Sequence, residues 1–280
     1  MLEIQILFED DNLIVVNKPS GIAMHDAVEQ ASDVEGTEIA SAKTSPAKTD
    51  DDPHSSAKRK LGIVSILKSQ LMLSNLYLCH RLDTGTSGCL CLAKNSHTAA
   101  HIGDLFATRQ VNKYYLALSH AKPKKKQGTI IGDMKNRRGG QRILLKSTDN
   151  PAITQFFSQS VKPGLRGFVV KPHSGKTHQI RVALKSIGAP LLGDALYGGD
   201  TADRLYLHAW HLHIPLDTGE IAASAPLLGG SVFTEAPVQQ WFQALNKPLK
   251  YNWPTLSSRY TTKHKEAVQD RRSSSFSVND

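Results

Sequence analysis

One carboxylate, Asp83, stands where a fold could present a reactive group to a cleft. It follows a short apolar run at 76–79 and precedes a turn at 84–88 that reads Thr-Gly-Thr-Ser-Gly. Glycine permits backbone angles closed to other residues, and small hydroxyl side chains satisfy loop N–H groups locally. Taken alone, an aspartate in such a loop is more often a turn or cap residue. The pattern nevertheless predicts Asp83 at a strand-to-loop junction, with Arg81 two residues before it.

Hydrophobic patterning predicts the elements that must hold this loop. A β-hairpin is expected over 3–17, and an amphipathic helix over 61–73 leads into the loop. Ser96 is a candidate N-cap for a second helix to Arg109, and Thr177 is one for a third helix that ends at Gly188. Further strands are predicted at 111–118, 128–134, 141–147, 152–161 and 166–172, and a last helix at 238–245.

Composition narrows the class of protein. The chain of 280 residues is 40% hydrophobic and 21% charged, which is typical of a globular protein. Its net charge of +9 favours a polyanionic partner. No apolar run approaches the roughly 20 residues that span a bilayer, so no membrane partner is expected. Three cysteines form no disulfide framework, and the N-terminus does not resemble a signal peptide, so a cytoplasmic location is predicted.

Two segments differ in composition from the rest. Residues 26–60 carry eight acidic and five basic residues, with few apolar ones and no aromatics. Such a segment cannot bury enough surface to offset its ordering entropy, so we predict a disordered insertion there. The polar residues 256–280 are predicted to be a disordered tail.

Several patterns suggest metal or phosphate chemistry, but none is complete. His97 and His101 have the spacing of two ligands on a helix, without an acidic partner pattern. Cys89 and Cys91 lack the usual spacing of cysteine ligands and are better explained as small buried residues. His208, His211 and His213 have no cysteine or acidic residue to complete a set of ligands. Gly175-Lys176-Thr177 lacks the upstream glycine of a phosphate loop. We therefore predict no metal site.

The stretch His80-Arg-Leu-Asp83 with Thr86-Ser-Gly88 resembles the core motif of the RluA-type RNA pseudouridine synthases. Further stretches are similar to the other motifs of the family, in the family's order, and the resemblance covers roughly residues 4–246 apart from the insertion. Lys176 stands where the family commonly has arginine, and Ala183 where it commonly has histidine. The matching stretches are 16–21, 113–115, 172–182, 193–198 and 204–209.

The resemblance implies an α+β fold with a mixed, mainly antiparallel central sheet in two halves, flanking helices and a central cleft for RNA. The catalytic domain is expected over residues 1–255. Many members of the family carry an S4-like RNA-binding domain before it, and we expect none here because the catalytic hairpin starts at residue 3.

The implied reaction is isomerisation of uridine in RNA to pseudouridine, which requires no cofactor. Asp83 would either add to the sugar or the base, or remove a sugar proton, and the sequence does not choose between these routes. Arg181 would keep it ionised. Tyr115 would stack on the uracil and could accept the C5 proton. Leu207 is the expected apolar floor, and Arg81 would fill the space that a flipped-out uridine leaves.

The remaining expectations concern binding and alternatives. His80, Lys113 and Lys176 are expected to contact substrate. A monomer is expected to act on a stem-loop of transfer or ribosomal RNA, with transfer RNA slightly preferred. A catalytically silent RNA-binding protein is one alternative, and a glycoside hydrolase using Asp104 or Asp194 as its second acid is another. Two basic turns, Lys122–Lys126 and Arg137–Arg142, would bind RNA phosphates. The residues expected to do so are Lys124, Lys125, Arg137 and Arg138.

Overall fold

The structure, a computed structural model, describes residues 2–28, 59–217, 219–257 and 260. Within these ranges, none of the helices has the length and apolar character needed to cross a membrane. The predicted tail from residue 256 lies almost wholly outside the described residues, as does most of the predicted insertion.

Fourteen strands and four α-helices make up the described fold. The strands are β1 (Gln5–Glu9), β2 (Leu13–Lys18), β3 (Ala27–Val28), β4 (Arg59–Lys60), β5 (Tyr77–Leu78), β6 (Ser87–Ala93), β7 (Asn112–Ser119), β8 (Gln127–Gly132), β9 (Met134–Asn136), β10 (Arg142–Leu144), β11 (Ala152–Lys162), β12 (Leu165–Pro172), β13 (Leu207–Leu216) and β14 (Gly219–Ser224). The helices are α1 (Ile63–Leu71), α2 (Ser96–Ala107), α3 (Gln179–Ser186) and α4 (Ala236–Gln243), with short 3₁₀ turns at Ala195–Tyr197 and Pro248–Lys250.

One ten-stranded sheet runs through the molecule in the order β1-β2-β6-β13-β7-β12-β11-β8, with β14 on β13 and β5 on β6. All of its pairs are antiparallel except β6 with β13. The predicted α+β fold with a mixed, mainly antiparallel sheet is therefore confirmed. Most predicted strands and helices are also present, within a few residues of the expected bounds.

Both faces of the sheet are buried, and each half of the sheet has a core on each face. Along β2, Leu13 and Val15 pack into one cluster while Ile14 and Val16 pack into another. Successive residues of a strand point to opposite faces, so this alternation places one core on either side. In the C-terminal half, β7 divides its side chains in the same way between two further clusters. Burial on both faces explains why the central strands read as continuous apolar runs.

The parallel pair at the centre brings the Asp83 loop against the second half of the sheet. Ser87 pairs with His208, and Gly88 pairs with Ala209. Gly88 has a φ of +107°, and a Cβ there would lie 2.2 Å from the carbonyl oxygen of Ala209. Only glycine allows both that backbone angle and that approach. The Gly88 predicted to shape the turn therefore also joins the two halves.

Two predicted helix caps are wrong. Helix α2 is capped by Asn95, whose side chain accepts a hydrogen bond of 2.8 Å from the Thr98 N–H, and not by Ser96. The residue before α3 is His178, in left-handed conformation at φ 58°, with no side-chain cap from Thr177. Instead, Gln179 folds back and accepts from the Lys176 N–H at 3.1 Å. The α2 cap is therefore one residue earlier than predicted, and α3 begins without a side-chain cap.

The two ends of the predicted insertion are ordered as strands. Ala27 pairs with Lys60, and Val28 pairs with Arg59, as β3 and β4. Asp26 also accepts a hydrogen bond of 2.8 Å from the Gly62 N–H. The boundaries predicted at 26 and 60 therefore need correction, because the segment begins and ends inside a short antiparallel ladder.

Candidate active site

A cavity of about 450 Å³ lies beside the central parallel pair. Every catalytic and substrate-binding residue predicted from the sequence lines it. They come from the Asp83 loop, from β7, from the 172–182 stretch and from the start of β13. The set is His80, Arg81, Asp83, Lys113, Tyr115, Lys176, Arg181 and Leu207.

The stretch at 16–21 holds the Asp83 loop from behind. Lys18 is fully buried, and its Nζ donates hydrogen bonds to the carbonyls of Pro19, Ile22 and Thr84 at 2.8, 2.9 and 3.1 Å. Ser20 adds a bond of 2.7 Å to the carbonyl of Gly85. These bonds fix the two residues that follow Asp83. The similarity of this stretch to a supporting motif therefore has a physical basis here.

A buried network fixes the other end of the loop. Arg204 donates to the Ser87 hydroxyl at 2.6 Å, and that hydroxyl lies 2.8 Å from His208 Nδ1. Since Arg204 can only donate, the serine proton goes to Nδ1, and Nε2–H then donates to the Ala225 carbonyl at 3.1 Å. Burial lowers the pKa of His208 to about 4, so the ring is neutral at pH 7. These bonds give His208 a structural role.

Asp83 faces the guanidinium of Arg181, as the resemblance implies. Nη1 lies 3.5 Å from Asp83 Oδ2. However, Arg181 bonds more tightly to Asp194, through Nε at 2.8 Å and Nη2 at 2.7 Å. Burial alone would lower the pKa of Arg181, but the hydrogen bonds and charge of Asp194, with a smaller contribution from Asp83, raise it. The cation is thus held permanently charged between two carboxylates.

His178 is a second group directed at Asp83. Its Nε2 lies 3.9 Å from Asp83 Oδ2, and its Nδ1 lies 2.8 Å from the Tyr197 hydroxyl. That hydroxyl accepts from the Arg142 N–H at 2.9 Å, so its own proton goes to Nδ1. Burial, and next the charge of Arg181, lower the pKa of His178, which favours the neutral ring. The neutral ring then carries its proton on Nε2, towards Asp83.

Tyr115 packs at the seam between the two halves of the sheet. Its ring contacts the core clusters of both halves on the face that carries the cavity. Burial, and to a smaller degree the charge of Asp83, raise the pKa of the Tyr115 hydroxyl well above its usual value. The phenol therefore stays protonated at pH 7. Leu207 is 3% exposed on the same face and belongs to one of those clusters.

His80 lines the cavity but is held by the protein. Its Nε2 accepts a hydrogen bond of 3.0 Å from the Cys91 N–H, and its ring stacks on Phe106 at a centroid distance of 4.3 Å. Burial, followed by the charge of Lys113, lowers the pKa of His80 to about 3. The ring is therefore neutral, and its contact with substrate stays a prediction.

The two basic turns do not line the cavity. Lys124, Lys125, Arg137 and Arg138 are all exposed. The Lys124 N–H donates to the carbonyl of Ile187, just after α3, at 2.9 Å. The hairpin of β9 and β10 contacts the 3₁₀ turn at 195–197 through a hydrogen bond of 3.0 Å from Gln141 to the Leu196 carbonyl. Both turns are thus attached to elements that carry active-site residues.

Sequence reasoning missed three residues of the site. Asp194, Tyr197 and His178 had no assigned role, although Asp194 was considered as the second acid of a hydrolase. All three belong to stretches that match the family, at 172–182 and 193–198. A polar residue inside a matching stretch was the available signal, and only the fold reveals which partner it takes.

The hydrolase alternative loses both of its candidate second acids. Asp104 is exposed on α2 and does not line the cavity. Asp194 lines no open surface either, since its side chain is 0% exposed and is occupied by Arg181. Among the described residues, no group of three or more histidine, cysteine or acidic side chains is arranged to hold a metal ion. The three cysteines are free and buried.

Comparison with known proteins agrees with this geometry. Residues 12–186 match the family model described as RNA pseudouridylate synthase. An uncharacterized RNA pseudouridine synthase of Haemophilus influenzae is 39% identical over 250 residues, which are 88% of this chain and 98% of that protein. The ribosomal large subunit pseudouridine synthase C of Rickettsia bellii is 30% identical over 244 residues, 85% of this chain and 69% of that protein.

The fold also matches solved structures. The human RNA pseudouridylate synthase domain containing 1 aligns with a TM-score of 0.60 at 23% identity, over 88% of this chain and 97% of that chain. On the strength of the family model, the sequence relatives and the cavity built around Asp83, this chain belongs to the RluA-type RNA pseudouridine synthase family.

Proposed function

We propose that this chain isomerises one uridine in a short RNA stem-loop to pseudouridine, with Asp83 as the catalytic group. The reaction class, isomerisation of uridine in RNA, is that of the family to which the chain belongs. The observation that carries the assignment of Asp83 is its position 3.5 Å from Arg181 in the wall of the cavity.

Asp83 acts through its ionised form. Addition to the sugar, addition to the base and removal of a sugar proton each need a carboxylate. Arg181 supplies a permanent positive charge, and the Nε2–H of His178 adds a neutral donor. Both groups direct positive charge or an N–H towards the oxygen of Asp83 that would react. The N1–C1′ bond then breaks, the uracil turns, C5 bonds to C1′, and the C5 proton leaves as N1 gains one.

Tyr115 and Leu207 hold the base. A uridine in a stem must leave its helix to reach the cavity, and flipped-out bases are held by stacking and apolar contact. The raised pKa of the Tyr115 hydroxyl supports a stacking role and disfavours removal of the C5 proton by this group, because a protonated phenol is a poor base. Arg81 is exposed at the rim, where it would fill the vacated space.

The RNA contacts lie in the cavity and the two basic turns. Lys124, Lys125, Arg137 and Arg138 would bind backbone phosphates there. This footprint fits a monomer on a stem-loop of transfer or ribosomal RNA. We favour transfer RNA, because a small free substrate demands the least additional binding surface, and we place the reaction in the cytoplasm, where such RNA is modified.

A catalytically silent RNA-binding protein is the second candidate. Such a protein would need the basic turns, but it would gain nothing from a buried ion pair aimed at Asp83. The test is to map pseudouridine in total RNA from cells with and without the protein. Restoring the wild-type gene should restore one site, and a gene carrying Asp83→Asn should not. If no site depends on the protein, the assignment is wrong.

A further inference from the structure

One wall of the cavity carries three cationic side chains. Arg109, Lys113 and Lys176 all line the cavity. None of them forms an ion pair with an acidic side chain among the described residues. Burial first and then the charge of Arg109 lower the pKa of Lys113 to about 8. Burial lowers the pKa of Lys176, the charge of Asp133 raises it and the charge of Arg109 lowers it, so Arg109 lies close enough to both lysines to repel them.

Lys113 is confined by its surroundings. Its Nζ lies 5.6 Å from the centroid of the Phe106 ring, and a Cβ on Gly175 would lie only 3.6 Å from it. Nζ has no hydrogen-bond acceptor in the part of the chain that the structure describes, although an ammonium group carries three donors. Because Lys113 lines the cavity, a ligand that enters the cavity can supply an acceptor for this ammonium group.

Arg109 is placed by an unusual backbone conformation. It follows α2 in the left-handed region, at φ 56°, and its N–H donates to the Phe106 carbonyl at 3.1 Å. Residues other than glycine seldom adopt this conformation. Its guanidinium lines the cavity and, like Lys113, has no hydrogen-bond partner among the described residues. Lys176 differs, because its Nζ bonds to the Asn150 carbonyl.

The two cationic groups of Arg109 and Lys113 indicate the chemistry of a ligand that they could bind. A guanidinium beside an ammonium suits a phosphate group, whose oxygens accept charge-assisted hydrogen bonds from both. A uridine that enters the cavity brings a phosphodiester on each side. We propose that Arg109 and Lys113 form a subsite for one of the two phosphates that flank the flipped-out uridine. This inference rests on the proposed function.

Replacing one phosphate of the RNA at a time with an uncharged group tests the subsite directly. The RNA is a stem-loop with the mapped uridine, made with one uncharged methylphosphonate at either flanking linkage. Wild-type protein should bind one of the two modified RNAs about tenfold more weakly than the native RNA. Lys113→Met and Arg109→Met should each bind native RNA more weakly and should lose most of the sensitivity to that methylphosphonate. Lys124→Met is the matched control. Its loss of affinity should multiply with the loss caused by the methylphosphonate.

The titration of Lys113 provides an independent readout. The charged groups around it are Arg109, His80 and Lys176, with Asp83 in the same cavity. A bound phosphate raises the pKa of Lys113. The contribution of Lys113 to RNA affinity is therefore complete below pH 8, and it is lost as pH rises through the higher pKa that Lys113 has in the complex. Wild-type affinity should therefore fall above pH 8, and Lys113→Arg should retain its affinity to higher pH.

The outcomes separate the two proposals. If the wild-type protein forms no pseudouridine in any RNA tested, the proposed function is rejected, and this inference with it. The phosphate subsite alone would be rejected if turnover is normal and the loss of affinity from Lys113→Met or Arg109→Met multiplies with the loss from either methylphosphonate. The melting temperature of each variant should stay near that of the wild type, and Arg109→Met provides a second test if Lys113→Met fails to fold.

Discussion

Asp194 holds Arg181 by two hydrogen bonds of 2.8 and 2.7 Å, while Asp83 lies 3.5 Å from the remaining nitrogen of the same guanidinium. Asp194 is completely buried and Asp83 is 22% exposed at its side chain. The buried acid therefore fixes the cation, and the accessible acid is left free to react.

Asp83→Asn should abolish turnover and leave the fold and RNA affinity nearly intact, because it removes the charge at constant shape. Pseudouridine formed by the purified variant is the measurement, with melting temperature as the folding check. Asp104→Asn makes the same change at an exposed position of α2 and should be fully active. Turnover by Asp83→Asn above a trace would contradict the assignment.

Arg181→Met should lose activity and stability together. It leaves Asp194 buried without a partner, and loss of one partner of a buried ion pair costs about 3–5 kcal/mol. The double variant Arg181→Met with Asp194→Asn should recover part of that stability in urea unfolding, although it should stay inactive. A double variant whose loss equals the sum of the single losses would show that the two residues are not coupled.

Tyr197→Phe should lower kcat about fivefold with little change in KM, which corresponds to roughly 1 kcal/mol for a lost hydrogen bond. The hydroxyl orients His178 and accepts from the Arg142 N–H, so its removal frees the ring that faces Asp83. Tyr77→Phe, at a residue 37% exposed on β5, is the matched control. Unchanged kcat in Tyr197→Phe would mean that His178 does not assist Asp83.

The segment 29–58 should be dispensable for activity. Val28 and Arg59 are paired, so an Asn-Gly dipeptide in place of residues 29–58 would close a two-residue hairpin across them. Activity within a few-fold of the parent and a melting temperature within a few degrees are expected. A Gly-Ser linker of the original length is the control. Loss of turnover in both versions would give the segment a role in catalysis, whereas loss in the short version alone would show that only its length matters.

The sequence predicted the strands well, because alternation and continuous apolar runs reflect burial on one or both faces. It also predicted which residues meet in the cavity, because each lay in a stretch similar to a known motif. It did not reveal that Arg181 is bound mainly by Asp194, or that Gln179 reaches across to the Ile153 carbonyl at 3.0 Å. Such partners are chosen by packing across the fold, and single-sequence patterns carry only the residue type.

Neutralising the basic turns should weaken RNA binding and its dependence on salt. Each lost phosphate contact lowers the slope of log affinity against log salt by about one, so Lys124→Gln with Lys125→Gln should lower it by about two. Arg137→Gln with Arg138→Gln should do the same. Removing two exposed charges elsewhere, with Lys247→Gln and Lys250→Gln, should leave the slope unchanged if the effect is local.

The same variants should be compared on intact RNA and on the isolated stem-loop that contains the mapped uridine. The cavity and the two turns are the surfaces to which we assign recognition, so the stem-loop should be modified at a rate within about tenfold of the intact RNA, a difference of ~1.4 kcal/mol. RNA recognised through loop bases and local shape needs no distant contacts. If only an assembled ribosomal particle is modified and the stem-loop never is, recognition extends beyond these surfaces and the preference for a small substrate is wrong.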